Sequence, residues 1–176
     1  MSWSLLKAIV VLPGTVLVLV PAAILLSVRD SAFAAEWVTT SQVGFWIALI
    51  VAAIGATLSL WTTFLFLKVG GGTPAPWDPP KRLIVRGPYR HVRNPMITGV
   101  LLILFAEAVL LQSWPLVVWM MLFFVGNAIY FPLVEEKALE KAFGHEYRHY
   151  KAHVPRWIPR LRPWKQSDGC KDARNF

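Results

Sequence analysis

The sequence is poor in charged residues and contains a single cysteine. Asp, Glu, Lys and Arg make up 16% of its 176 residues, and the one cysteine is Cys170. One cysteine can form no internal disulfide, and this one does not occupy the C-terminal position of a prenylation signal. Low charge at this length is untypical of a soluble domain. The composition therefore favours a membrane protein.

Long apolar runs account for most of the chain. Apolar residues make up 56% of the sequence, which contains nine tryptophans and has a mean hydropathy of +0.50. About 20 apolar residues suffice to cross the hydrocarbon core of a bilayer. Four runs come near that length: Leu5–Val28, Val43–Leu67, Ile97–Leu111 and Leu116–Val134. We predict an all-α integral membrane protein with four transmembrane helices and a helical, basic C-terminal tail in the cytoplasm.

Basic residues lie on two of the segments that flank these runs. The Arg29–Gln42 connection has one basic and two acidic residues, whereas Lys68–Pro95 has six basic and one acidic, and the tail from Glu135 has ten basic and six acidic. The positive-inside rule places the last two segments in the cytoplasm. An alternative for the first run is a secretory signal, because Ala32-Phe33-Ala34 resembles a cleavage site.

The stretch Arg86–Gly99, called the central motif below, is rich in polar residues at the edge of an apolar run. Gly87-Pro88 predicts a turn, and Asn94-Pro95 predicts the start of a helix. Polar groups this dense beside a membrane segment are costly unless they bind something. The alternative is a basic anchor that contacts lipid headgroups.

Acidic side chains are scarce, and two of them are adjacent. Glu135-Glu136 follows the fourth run and can neutralise arginines of the central motif or bind an amine-bearing ligand. Farther into the same run, Asn127 is expected to hydrogen-bond to the third run.

Two motifs suggest other chemistry. His145-Glu146-Tyr147-Arg148-His149 matches the zinc-binding pattern H-E-x-x-H, but the arginine inside it would crowd a cation and no third-ligand motif is evident. The glycine run Gly70–Gly72 lacks the Lys-Ser/Thr of a P-loop. We therefore predict no metal site and no nucleic-acid partner.

Taken together, the motifs resemble the isoprenylcysteine carboxyl methyltransferase family and its phospholipid-methyltransferase relatives. The resemblance runs from about Lys81 to Pro159. It comprises the Gly-Pro-Tyr-Arg-His-Val-Arg-Asn-Pro stretch, an apolar hairpin, Glu135-Glu136, and the later Phe143-Gly144-x-Glu146-Tyr147-x-x-Tyr150 with Val154-Pro155.

The resemblance implies S-adenosylmethionine bound at the cytoplasmic face and a lipidic substrate that enters from the bilayer. Tyr89 matches a cofactor-contacting tyrosine, and Glu135 matches the cofactor-binding carboxylate. The implied catalytic residues are Arg93 and Glu136. The implied cofactor-binding residues are Lys81, Arg82, Leu83, Ile84, Tyr89, His91, Asn94, Pro95, Met96, Ile97 and Glu135. The implied domains are a two-span hairpin at 1–68, a methyltransferase core at 69–164 and a disordered tail at 165–176.

Three positions depart from the eukaryotic pattern. Asn94 and Ile97 replace a histidine and a tyrosine, and Phe131 replaces the arginine that serves the substrate carboxylate. The acceptor is thus left open between a prenylcysteine carboxylate, an amine, a hydroxyl and another lipid headgroup. The resemblance implies a multi-pass enzyme of a bacterial inner membrane, its active site facing the cytoplasm. The alternatives are a membrane adaptor that binds anionic lipid and a sterol-reductase-like enzyme that uses NADPH.

Overall fold

The computed structural model describes residues 13–71 and 81–165. Three predictions lie wholly or mostly outside these residues. They are the beginning of the first span, the glycine- and proline-rich loop at 72–80, and the disordered tail, of which only Lys165 is described.

Within the described ranges the chain is helical and contains no strand, which confirms the all-α prediction. The elements in order are a π-helical turn Thr15–Leu19, α1 Val20–Val28, α2 Val43–Leu65, a π-helical turn Phe66–Gly70, a 3-10 turn Gly87–Arg90, α3 Pro95–Leu110, α4 Trp114–Tyr130, a π-helical turn Phe131–Glu135 and α5 Glu136–His153.

Two continuous helices are long and apolar enough to cross a membrane, namely Val43–Gly70 and Trp114–His153. Two shorter apolar helices, Thr15–Val28 and Pro95–Leu110, lie beside them. Only 11% of the most apolar stretch of Val43–Gly70 is buried, and only 6% of that of Trp114–His153. A core helix of a soluble protein would be mostly buried, so these exposed apolar faces fit a lipid environment.

The closest helix pair is α2 and α3, which meet at glycines. A Cβ atom on Gly55 would lie 2.7 Å from the carbonyl oxygen of Gly99, and one on Gly99 would collide with the Ser59 hydroxyl. Small residues allow such close approach where lipid supplies no hydrophobic driving force. Gly55 and Ser59 of α2 therefore lie directly against Gly99 of α3.

α3 and α4 form the predicted antiparallel hairpin. Pro95 is the first residue of α3 and Asn94 precedes it at the N-cap, as predicted. The chain reverses between Leu110 and Trp114, where Gln112 has a φ of 39°.

The prediction for Asn127 is wrong. Its Nδ2 donates to the carbonyl oxygen of Phe123 at 2.8 Å, one turn earlier in the same helix. An amide that finds an acceptor within its own helix does not need the neighbouring helix.

The last apolar helix continues into the tail without a loop. Pro132 lies in the π-helical turn between α4 and α5, and its missing N–H and its ring prevent regular α-helical bonding at that position. The helical conformation is then interrupted at Gly144, where φ is 53° and ψ is −123°. The central motif and Glu136 meet at one end of the helices, where Arg93 Nη1 lies 2.8 Å from Glu136 Oε1.

Candidate active site

The central motif begins with a tight turn held against α2. Gly87 has a φ of 54°, a conformation that favours glycine, and a Cβ there would lie 3.1 Å from the Trp61 ring. The following residues Pro88 and Tyr89 are buried in the 3-10 turn. Both the backbone conformation and the lack of space explain the glycine.

The tail is bound to the central motif by hydrogen bonds that involve the backbone. Five of them run Arg93 N to Pro155 O (2.9 Å), Arg160 N to His91 O (3.0 Å), His91 Nδ1 to Arg160 O (2.8 Å), Trp164 N to Arg90 O (2.9 Å) and Arg90 Nε to Trp164 O (2.7 Å). These bonds satisfy polar groups that a buried loop would otherwise leave unpaired. They also fix the motif and the tail as one unit.

A small apolar core lies beneath these bonds. It consists of Tyr147, Tyr150, Val154 and Trp164, with Leu83 and Val85 packed against it. The Tyr150 hydroxyl donates to the backbone carbonyl of Tyr89 at 2.7 Å, which positions the tyrosine of the motif. The segment before the motif and α5, called the tail helix below, thus share one core.

Glu136 lies at the centre of a buried ion-pair cluster. Its Oε1 is 2.8 Å from Arg93 Nη1 and 2.7 Å from Arg156 Nε, and its Oε2 is 3.0 Å from Lys151 Nζ. The Glu136 side chain is only 5% exposed and that of Arg93 is 11% exposed. The two residues predicted to be catalytic are therefore in direct contact and bind the tail to the motif.

The cluster determines the charge state of Glu136. Burial opposes its ionisation, but the hydrogen bonds from Arg156 and Lys151 and the charge of Arg93 outweigh burial and lower its pKa. The carboxylate is thus ionised and forms ion pairs with three cations of the protein itself.

Glu135, the preceding residue, is placed differently. Among residues 13–71 and 81–165 it has no hydrogen bond and no ion pair, although it is partly buried. Burial raises the pKa of Tyr89 well above its ordinary value, and the charges of Tyr150 and Glu135 add to this effect. Tyr89 and Glu135 therefore lie close enough to interact electrostatically.

Two buried donors of the central motif have no partner in the described part of the chain. They are Nδ2 of Asn94 and Nε of Arg93. Buried polar groups are nearly always hydrogen-bonded, so unpaired donors at one place indicate a missing acceptor.

The other predicted cofactor-binding residues lie before the central motif, within it and in the first turn of α3. Lys81 and Arg82 are exposed, and Lys81 N donates to the Gly70 carbonyl at 2.8 Å. Leu83 is half-buried and Ile84 is buried before the motif, whereas Pro95, Met96 and Ile97 form the first turn of α3. His91 is already bonded to Arg160.

Sequence reasoning missed Arg156 and Lys151 as partners of Glu136. Both lie in a basic tail where many positive residues are equivalent by composition. The proline before Arg156 was the available signal, since it stops the tail helix and turns the chain back.

The histidines of the H-E-x-x-H pattern lie on one side of the tail helix. The rings of His145 and His149 stack with centroids 6.2 Å apart, and His149 lies 5.5 Å from the Trp164 ring. In the described ranges, no three His, Cys, Asp or Glu side chains converge to hold a metal ion.

The arrangement is an unpaired carboxylate and unpaired donors at one end of apolar helices. The family model described as phospholipid methyltransferase matches residues 43–146, more than half of the chain. The chain belongs to this family. It is a membrane methyltransferase, and its apolar helices together with the family indicate an integral membrane protein. No match was found among curated proteins.

Methyltransferases of this family use S-adenosylmethionine. The methionine end of that cofactor carries a positive amino group and a negative carboxylate. The Glu135 carboxylate, which has no hydrogen bond or ion pair among the described residues, and the unpaired donors of Asn94 and Arg93 are the chemical groups that such an end requires. The residues present therefore fit the cofactor.

Proposed function

We propose that this phospholipid methyltransferase family member binds S-adenosylmethionine through Glu135 at the cytoplasmic end of its helices and methylates a phospholipid headgroup. The observation that supports this most directly is the contrast between the two adjacent glutamates. Glu136 is occupied by three cations, whereas Glu135 has no partner in the described ranges. A half-buried carboxylate without a cation is costly, because burial opposes its ionisation and raises its pKa.

The residues around Glu135 would each bind one part of the cofactor. Glu135 would accept hydrogen bonds from its amino group, and Asn94 Nδ2 would donate to an acceptor such as its carboxylate. The buried Tyr89 ring can make a cation–π contact and excludes water. When bound, the cofactor supplies an electrophilic methyl group, whose carbon–sulfur bond breaks as the acceptor lone pair forms the new bond.

The surroundings of Phe131 support a phospholipid acceptor over a prenylcysteine carboxylate. Phe131 is 6% exposed and its ring lies 6.0 Å from that of Trp157. A substrate carboxylate would find an apolar contact there where eukaryotic relatives offer an arginine. Labelled methyl transfer to an aminophospholipid, and not to a prenylcysteine, is the expected outcome of a direct comparison in vesicles; the reverse preference would overturn this assignment.

Glu135→Gln should weaken binding of S-adenosylmethionine by about 1.5–3 kcal/mol, the range for a hydrogen bond to a charged group. The replacement keeps the shape of the side chain and removes its charge. Calorimetric titration of the purified protein in detergent measures the affinity, and thermal unfolding of the same sample measures stability.

Glu140→Gln is the matched control, since Glu140 lies five residues later in the chain and, among the described residues, pairs only with Lys151, at 2.7 Å. It should leave cofactor affinity unchanged. Unaltered affinity in Glu135→Gln would remove Glu135 from the cofactor site.

We propose four spans with both chain ends in the cytoplasm, which agrees with the antiparallel α3–α4 hairpin and the positive charge of the central motif. A reporter that works only in the cytoplasm should be active when it is fused after Phe176. A reporter that works only outside the cytoplasm should be active when it is inserted near Thr39. An external reading for the C-terminal fusion would contradict the topology.

A further inference from the structure

The segment that follows the tail helix combines exposed apolar side chains with positive charge. Ile158 is 79% exposed and Leu161 is 97% exposed. Between Pro155 and Lys165 the sequence has four basic residues and no acidic one. Large apolar side chains on a surface often mark a site of contact with a protein or a membrane.

Trp157 determines where this segment lies along the helices. Its ring centroid is 5.2 Å from that of Phe124 in α4 and 6.0 Å from that of Phe131 in the following π-helical turn. Phe131 is four residues before Glu135, the first charged residue after the apolar run. Trp157 therefore lies where the hydrocarbon region gives way to headgroups, the level that tryptophan prefers.

Two of the four cations are used inside the protein and two are available. Arg156 pairs with Glu136, and Arg160 Nη1 donates to the His153 carbonyl at 2.7 Å. Arg162 and Lys165 are exposed and have no hydrogen bond or ion pair within residues 13–71 and 81–165.

We propose that residues 157–165 form an interfacial membrane anchor that binds anionic lipids. Ile158 and Leu161 enter the boundary between headgroups and acyl chains, while Arg162 and Lys165 contact lipid phosphates. Apolar side chains gain by leaving water, and each basic residue near an anionic membrane surface strengthens binding roughly fivefold. The partner is the anionic bilayer surface, because the segment is attached to a membrane helix and carries charge of the opposite sign.

The anchor is connected to the central motif by the backbone. Arg160 and Trp164 exchange hydrogen bonds with His91 and Arg90 on both sides of Leu161. Lipid that holds the anchor in place therefore also holds the motif beside it. This inference goes beyond the proposed function and does not depend on methyl transfer.

A fluorophore on the anchor tests its position directly. Cys170→Ser removes the natural cysteine, and Leu161→Cys or Ile158→Cys then provides a single labelling site in the full chain. After reconstitution into vesicles that contain brominated lipids, the label should emit at shorter wavelength and lose most of its intensity. A label at Lys141→Cys, an exposed position on the tail helix, should lose little.

The anionic partner is tested by lipid composition and charge removal. Quenching at position 161 should be stronger in phosphatidylglycerol-containing vesicles than in pure phosphatidylcholine, and the difference should disappear with Arg162→Gln/Lys165→Gln. The control Lys137→Gln/Lys141→Gln, which removes two exposed charges on the tail helix, should retain it. Emission at the wavelength of a water-exposed label at both position 158 and position 161 would overturn the proposal. Quenching caused only by contact between labelled copies of the protein, and not by brominated lipid, would also overturn it.

Discussion

Glu136→Gln is expected to lower the free energy of unfolding by about 3–5 kcal/mol, the range for removing one partner of a buried ion pair. The neutral amide would leave Arg93 and Arg156 without a counter-charge at 2.8 and 2.7 Å, in a place where Arg93 is only 11% exposed. Thermal unfolding in detergent, followed by circular dichroism, measures the effect.

The same cluster predicts how stability depends on pH. Because the folded protein lowers the pKa of Glu136, its stabilising contribution is present above the ordinary glutamate pKa and is lost as the pH falls through the lowered value. Glu136→Gln should therefore reduce the acid sensitivity of the folded state as well as its stability.

Glu140→Gln is the control, because Glu140 is 36% exposed and its pair with Lys151 is worth less than about 1 kcal/mol. Should Glu136→Gln leave the unfolding temperature unchanged and abolish only methyl transfer, Glu136 would act in catalysis, as the family resemblance implies, and its structural role would be refuted.

Gly99→Val is expected to cost about 3 kcal/mol or more, at the upper end for an overpacked site. Any Cβ at this position would lie 2.7 Å from the backbone oxygen of Gly55 and 3.1 Å from the backbone nitrogen of Ser59. Backbone atoms cannot move aside as a flexible side chain can, so α2 and α3 would have to separate. Thermal unfolding and the yield of monodisperse protein in detergent measure the loss.

Gly126→Val is the matched control on α4, since a Cβ there would meet nothing within 4 Å. It introduces the same side chain at an exposed helical glycine. Equal effects of the two substitutions would show that helix propensity, and not the contact between α2 and α3, determines the result.

Local chemistry explains which parts of the fold the sequence predicts. The start of α3 at Pro95 follows from proline geometry, and the break at Gly144 follows from a backbone conformation that glycine favours. The short reversal after Leu110 permits only an antiparallel hairpin. Each of these predictions depends on a few neighbouring residues.

Nonlocal contacts explain the rest. A glutamate that could pair with any of several arginines pairs with Arg93, and its second arginine partner, Arg156, lies in a separate basic segment. The composition of that segment does not distinguish one arginine from another. The prediction for Asn127 is wrong for a related reason. The Phe123 carbonyl, an acceptor within the same helix, takes the hydrogen bond that was expected to go to α3.

The number of residues in the π-helical turn Phe131–Glu135 determines the position and rotation of the helix that follows it. Each residue of a helix advances it by about 100° and 1.5 Å. Removing one residue from the turn would rotate and retract everything after it, including Glu136 and the tail that is hydrogen-bonded to the central motif. A change of side chain at the exposed Leu133 or Val134 has no such effect. The rotation of the helix at this point, more than the identity of its side chains, thus decides which of two neighbouring carboxylates meets the protein's own cations and which one has no partner among the described residues.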